Sequence, residues 1–134
     1  PEESVDFQGN TGPFIQYSHA RINSLLNKAL ELNIEVPADF KSQYQLSIKE
    51  KGLLRSIALF PEILEEAAQN YSPALIANYV YELAREFNQF YHEHQIFKAE
   101  SDEIMMVRLQ ISRFTGQIIR NSMRLLGISV PERM

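Results

Sequence analysis

SPALIANYVYELAREFNQFYHEH, residues 72–94, carries a helical period from end to end. Ser72 supplies a hydroxyl to cap free N–H groups, and Pro73 brings a ring whose φ is already helical. Behind them Leu75, Ile76, Tyr79, Val80, Leu83, Phe87, Phe90 and Tyr91 recur at spacings of three and four, which gives one wide apolar face. Asn78, Glu82, Arg85, Glu86, Gln89 and Glu93 fill the other side. A helix of about 22 residues runs roughly 33 Å, enough to be the spine of a small domain. Its far end gathers Phe87, Asn88, Phe90 and Tyr91 beside two histidines.

The flanks carry the same period. Pro13 opens a helix in which Phe14, Ile15, Tyr17, Ser18, Ile22, Leu25, Leu26, Ala29 and Leu30 are spaced for one face, and Asn33 and Pro37 end it. Residues 34–46 read as a connector with turn chemistry at Pro37, Asp39 and Ser42, whose Phe40 and Tyr44 need an anchor. A second helix covers about residues 48–59. Phe60 stands before Pro61, which stops or kinks it, and a further helix runs from Pro61 to about residue 69. Ser101, with Asp102 and Glu103 in the first turn, starts the last helix. Its expected buried stripe is Ile104, Val107, Ile111, Phe114, Ile118 and Leu125, and Gly127 is its expected stop. There is no internal repeat and no strand pattern. The chain reads as all-α, a bundle of about five helices.

Composition narrows the function. The 134 residues make one domain with, at most, a short piece of another, and 45% hydrophobic content fits a packed core. No cysteine is present, so disulfides and thiolate metal sites are excluded, in keeping with a reducing, cytoplasmic setting. No apolar run approaches the roughly 20 residues of a membrane span, and the acidic, polar start does not read as a signal peptide. Net charge is −4, but unevenly spread: residues 104–134 hold five arginines against Glu132 alone, a net +4, which leaves −8 on the rest. Such asymmetry points to a polyanion.

Arg113, Gln117, Arg120, Asn121 and Arg124 form a second stripe on the last helix, three guanidinium groups and two amides on one face. Such a face is either ordinary solvated surface or a contact for RNA, where arginine neutralises phosphates and stacks on bases. Arg108 lies nearer the apolar stripe and reads as a partner for an acid. Tyr91 is either one more core contact with its hydroxyl outside or a stacking platform at the bundle end, with Asn88 one turn earlier. His92 and His94, two apart on a helix, point roughly 200° from each other and cannot share a metal ion. Catalysis finds no residues: residues 9–12 lack the glycine spacing and the lysine of a phosphate loop, and Ser18 beside His19 makes no triad. From residues alone the competing classes are an RNA-binding bundle and a protein-interaction bundle docking through Phe14, Phe40 and Tyr44.

Three stretches add a resemblance. FQGNTGPFIQYSHARI, residues 7–22, resembles the segment that closes the catalytic part of class I arginyl-tRNA synthetases. YVYELAREFNQFYH, residues 79–92, resembles the helix leading to their anticodon site, and MRLLGISVPERM, residues 123–134, is similar to their ending. The resemblance implies a DALR-type anticodon-binding helical bundle over residues 23–134, with residues 1–22 joining it to the catalytic region. It implies a tRNA for arginine and the N-terminal catalytic domain of the same protein as partners. Family enzymes use ATP, with Mg, to activate arginine before transferring it to the tRNA, and the signatures for that step are absent from this chain. The resemblance places the anticodon-contacting tyrosine at Tyr91 and the terminal methionine, near the same base, at Met134. The quartet Asp-Ala-Leu-Arg that names the domain does not occur in the chain.

Overall fold

Each helical period becomes a helix close to its end signals. The structure, a computed structural model, describes residues 11–39 and 41–127. In chain order come α1 (Thr11–Glu31), α2 (Ile48–Ala58), α3 (Phe60–Gln69), α4 (Pro73–Glu93) and α5 (Asp102–Leu125), with no strand among the described residues. Leu59 alone separates α2 from α3, so the bundle has four rods if that pair is taken as one interrupted helix.

The end signals work by different means. Asn33 adopts the left-handed region at φ 61° just past α1, and the Ile34 N–H reaches back 2.8 Å to the Ala29 carbonyl. Gly127 does the same past α5, at φ 74°. Ser101 caps α5 by accepting from the Ile104 N–H at 3.2 Å. Ser72, expected to cap α4, makes no side-chain cap bond. The chain there is turned instead by Tyr71 at φ 48°, with the Ser72 N–H bonded 2.9 Å to the Ala67 carbonyl, and Pro73 begins the helix.

α1 and α4 run parallel. Phe14 meets Tyr81 at 5.7 Å between ring centroids, and a helix length further on Lys28 lies 4.7 Å from the Phe97 ring. α5 runs against them: Gly116 faces Ile22, and Arg113 bonds the Val36 carbonyl beyond the end of α1. α4 buries Ile76, Val80, Leu83, Phe87 and Phe90, as its period requires, and the same core takes in Ile15 and Ile22 of α1.

The stripe expected on α5 needs correction. Val107 and Ile111 are buried, but so are Arg108, Leu109, Ser112, Thr115, Ile119, Ser122 and Met123, while Leu125 is 60% exposed. The cause is that α5 packs against α1, α2 and α4, so burial spreads over most of its circumference. Two of its buried hydroxyls turn back on their own helix: Ser112 donates to the Arg108 carbonyl and Thr115 to the Ile111 carbonyl, each at 2.8 Å.

Two of the three aromatics read as docking residues are used within the bundle. Phe14 packs on Tyr81, and Tyr44 packs against the core with its hydroxyl beside Arg108. Phe40 lies outside the described residues. No described helix is long and apolar enough to cross a membrane.

Candidate nucleic-acid interface

Tyr91 sits in the last turn of α4 and is partly buried. Phe87, one turn earlier, stacks against it at 6.3 Å, and His92 meets it edge-on at 5.5 Å. The residue that makes it a site comes from α1. The Arg21 guanidinium lies 4.4 Å from the Tyr91 ring centroid and 5.2 Å from that of Tyr17, so the three planes form a tyrosine–guanidinium–tyrosine cluster.

Asn88 holds that cluster from behind. Its Oδ1 accepts from Arg21 Nη1, while its Nδ2 donates to Ser18 Oγ at 2.7 Å and to the Ala84 carbonyl at 2.8 Å. Every polar atom of the amide is engaged inside the protein. Asn88 therefore fixes Arg21 rather than offering a vacant edge.

The cluster opens onto a cleft of about 600 Å³. α1 supplies Tyr17, Arg21, Ser24 and Lys28 to one wall, and residues 94–98 supply the other, ending on Phe97 and Lys98. The cleft thus combines aromatic planes with the cations Arg21, Lys28 and Lys98, and no carboxylate lines it. A groove of that make-up suits single-stranded nucleic acid, whose bases stack while its phosphates need counter-charge.

The α5 stripe is elsewhere. Arg113 donates 2.7 Å to the Val36 carbonyl, holding the connector in place, and lines a separate groove with Leu26, Ala29 and Leu30. Those α1 positions sit roughly 100–200° around the helix from Ser24 and Lys28, which face the cleft. Arg120 is partly buried, while Gln117, Asn121 and Arg124 are exposed. The stripe and the Tyr91 cleft are two surfaces, separated by α1. Met134 lies outside the described residues.

Tyr17, Arg21, Lys28, Phe97 and Lys98 were not singled out as site residues from the sequence. The signal was present for α1: positions 17, 21, 24 and 28 fall on one face. Tyr17 read as core because it keeps helical register with Phe14, yet it is 46% exposed.

Behind the second wall lies a buried ion pair. Arg108 Nε donates 2.9 Å to Glu50 Oε2, and Glu50 is wholly buried. Burial pushes the Glu50 carboxyl up, but the Ser47 N–H and the Arg108 guanidinium outweigh it and leave it below the usual carboxylate value. Burial acts to lower Arg108 and Glu50 to raise it, and the guanidinium ends above its usual value.

The helical bundle that carries this cleft is similar to known proteins. A sequence model of the DALR anticodon binding domain matches residues 15–134. The arginine–tRNA ligase of Phocaeicola vulgatus is 48% identical over all of this chain, which spans 22% of that relative's length. The arginyl-tRNA synthetase structure of Thermus thermophilus superposes with a TM-score of 0.79 at 28% identity, over 96% of this chain and 22% of that one. The Plasmodium falciparum arginyl-tRNA synthetase structure gives 0.78 at 31% identity, again over 96% of this chain and 22% of that one. A match that begins inside α1 and runs to the last residue, on a bundle with the same fold, leaves one assignment: the chain belongs to the DALR anticodon binding domain family, as found in arginyl-tRNA synthetases.

Proposed function

We propose that this chain reads the anticodon of a tRNA for arginine, as part of an arginine–tRNA ligase that joins arginine to that tRNA at the expense of ATP. The observation that carries the reading is the Tyr17–Arg21–Tyr91 cluster at the mouth of a carboxylate-free cleft. An anticodon loop presents splayed bases. One base extends the stack on Tyr91, with Arg21 fixed by Asn88 as both stacking partner and donor. Lys28 and Lys98 meet the phosphates on either side. Met134, at the chain terminus, is proposed to approach the same base.

The exposed Gln117, Asn121 and Arg124, with Arg120 beside them, act as a second, sequence-independent contact to RNA backbone. Arginine activation belongs to a catalytic domain outside this chain, which residues 1–22 are proposed to join to the bundle. ATP and its Mg are proposed to be bound by that catalytic domain.

Tyr91→Ala tests the reading. Loss of one stacked base lowers affinity for the cognate tRNA roughly 5- to 150-fold, the equivalent of about 1–3 kcal/mol. Unchanged binding, measured by filter retention or fluorescence anisotropy, removes Tyr91 from the site.

A further inference from the structure

Neither Glu50 nor Arg108 lines the cleft, yet their bonds end on the two residues that begin its second wall. One arm runs through Arg108. Its Nε holds Glu50 Oε2 at 2.9 Å, and its Nη1 donates 2.6 Å to the carbonyl of Gln95. The other runs through Ser47. Glu50 Oε1 accepts from the Ser47 N–H at 2.8 Å, the Glu50 N–H donates to Ser47 Oγ at 3.1 Å, and that hydroxyl lies 2.8 Å from His94 Nε2. The carboxylate thus fixes His94 and Gln95, consecutive residues at the point where α4 ends and the wall starts.

From this we infer that Glu50, with Arg108, is a positioning element for the RNA-facing segment 94–98, and through it for anticodon discrimination. The wall has few other anchors: it is not helical, the His94 N–H bonds the Phe90 carbonyl at 2.9 Å with the His94 ring stacked on Phe90 at 5.3 Å, and its other backbone bond is the long one from the Ala99 N–H to the Ile96 carbonyl at 3.4 Å. Buried Ile96 pins one point by packing, but packing does not set the direction of a carbonyl. A buried, fully bonded ion pair does, because its groups are satisfied in one arrangement only. The inference rests on the reading of the cleft as the anticodon site.

Removing Glu50 alone strands a buried guanidinium and endangers folding, so the informative variant removes both charges, Glu50→Leu with Arg108→Met, a replacement buried pairs commonly tolerate. Ser47→Ala severs the other arm and leaves the ion pair. Each is made in the full-length ligase. Each is assayed with an arginine-accepting tRNA transcript and the same transcript carrying an altered anticodon, and amide hydrogen exchange is followed at residues 94–98.

The inference expects both variants to keep the parent's slope of affinity against salt and to lose about fivefold or more of its preference for the cognate anticodon. Exchange rises at residues 94–98 and not in the middle of α4. Two results overturn it: a variant of unchanged thermal stability that discriminates as the parent does, or exchange that stays at the parent's level at residues 94–98. A parent that does not discriminate overturns the anticodon reading and this inference with it, whereas a discriminating parent with indifferent variants overturns this inference alone.

Discussion

Gly116 shows what a single residue decides here. A Cβ at this position would stand 2.8 Å from Ile22 Cγ2, so α1 and α5 approach as closely as a bare backbone allows. Gly116→Ala improves helix propensity and still destabilises the bundle, by about 1–3 kcal/mol, because Ile22 lies at 0% exposure with nowhere to move. Denaturant unfolding checks the sign: a more stable variant contradicts the packing. Glu50 makes a second prediction at this scale. Its carboxyl is held below its unfolded value, so its stabilisation is full above about pH 4.3 and is lost as pH falls through the folded value. Between neutral pH and about pH 3 the parent should lose more unfolding free energy than the Glu50→Leu, Arg108→Met variant. Parallel losses in the two proteins contradict the assignment.

At the scale of the element, helix ends that look alike in sequence behave differently. Ser101 and Ser72 both precede helices, yet only Ser101 makes a cap bond. Ser101→Ala should cost about 1 kcal/mol and Ser72→Ala only a few tenths, measured by thermal or denaturant unfolding. Helix extents were legible because period, proline, αL residues and caps are local. Pro73 marks the observed start of its helix, and Asn33 and Gly127 each stand two residues past the observed end of theirs. The Ser47–Glu50 capping box was equally local and went unread, since Glu50 has no apolar period to draw attention to it. The contacts that build the site are not local. Asn88 meets Ser18 across 70 positions and Arg108 meets Glu50 across 58. No spacing rule reaches that far. Tyr91 and Asn88 share one helix and are legible as candidates together, whereas their partner Arg21 is brought in by the parallel packing of α1 on α4.

Across the whole molecule the charge map separates the two RNA contacts proposed for it. Of the arginines in the C-terminal segment, Arg133 lies outside the described residues and none of the others lines the Tyr91 cleft. Arg108 is buried against Glu50, Arg113 is spent on the Val36 carbonyl, Arg120 is partly buried and Arg124 is exposed on α5. Substituting Arg124 by glutamine should therefore weaken cognate and altered-anticodon tRNAs alike, and flatten the dependence of log affinity on log salt by about one unit. A change in anticodon preference would contradict this division. The reading as a protein-docking bundle loses its footing at the same scale, since Phe14 and Tyr44 are partly buried and packed against the domain's own core.

The most direct measurement compares, in the full-length ligase, affinities for an arginine-accepting tRNA transcript and its anticodon-altered counterpart at two salt concentrations. The account predicts a preference for the cognate transcript that persists in ratio while both affinities fall with salt, and that shrinks toward unity in Tyr91→Ala. Equal affinity for the two transcripts in the parent, or a preference untouched by Tyr91→Ala, would contradict it.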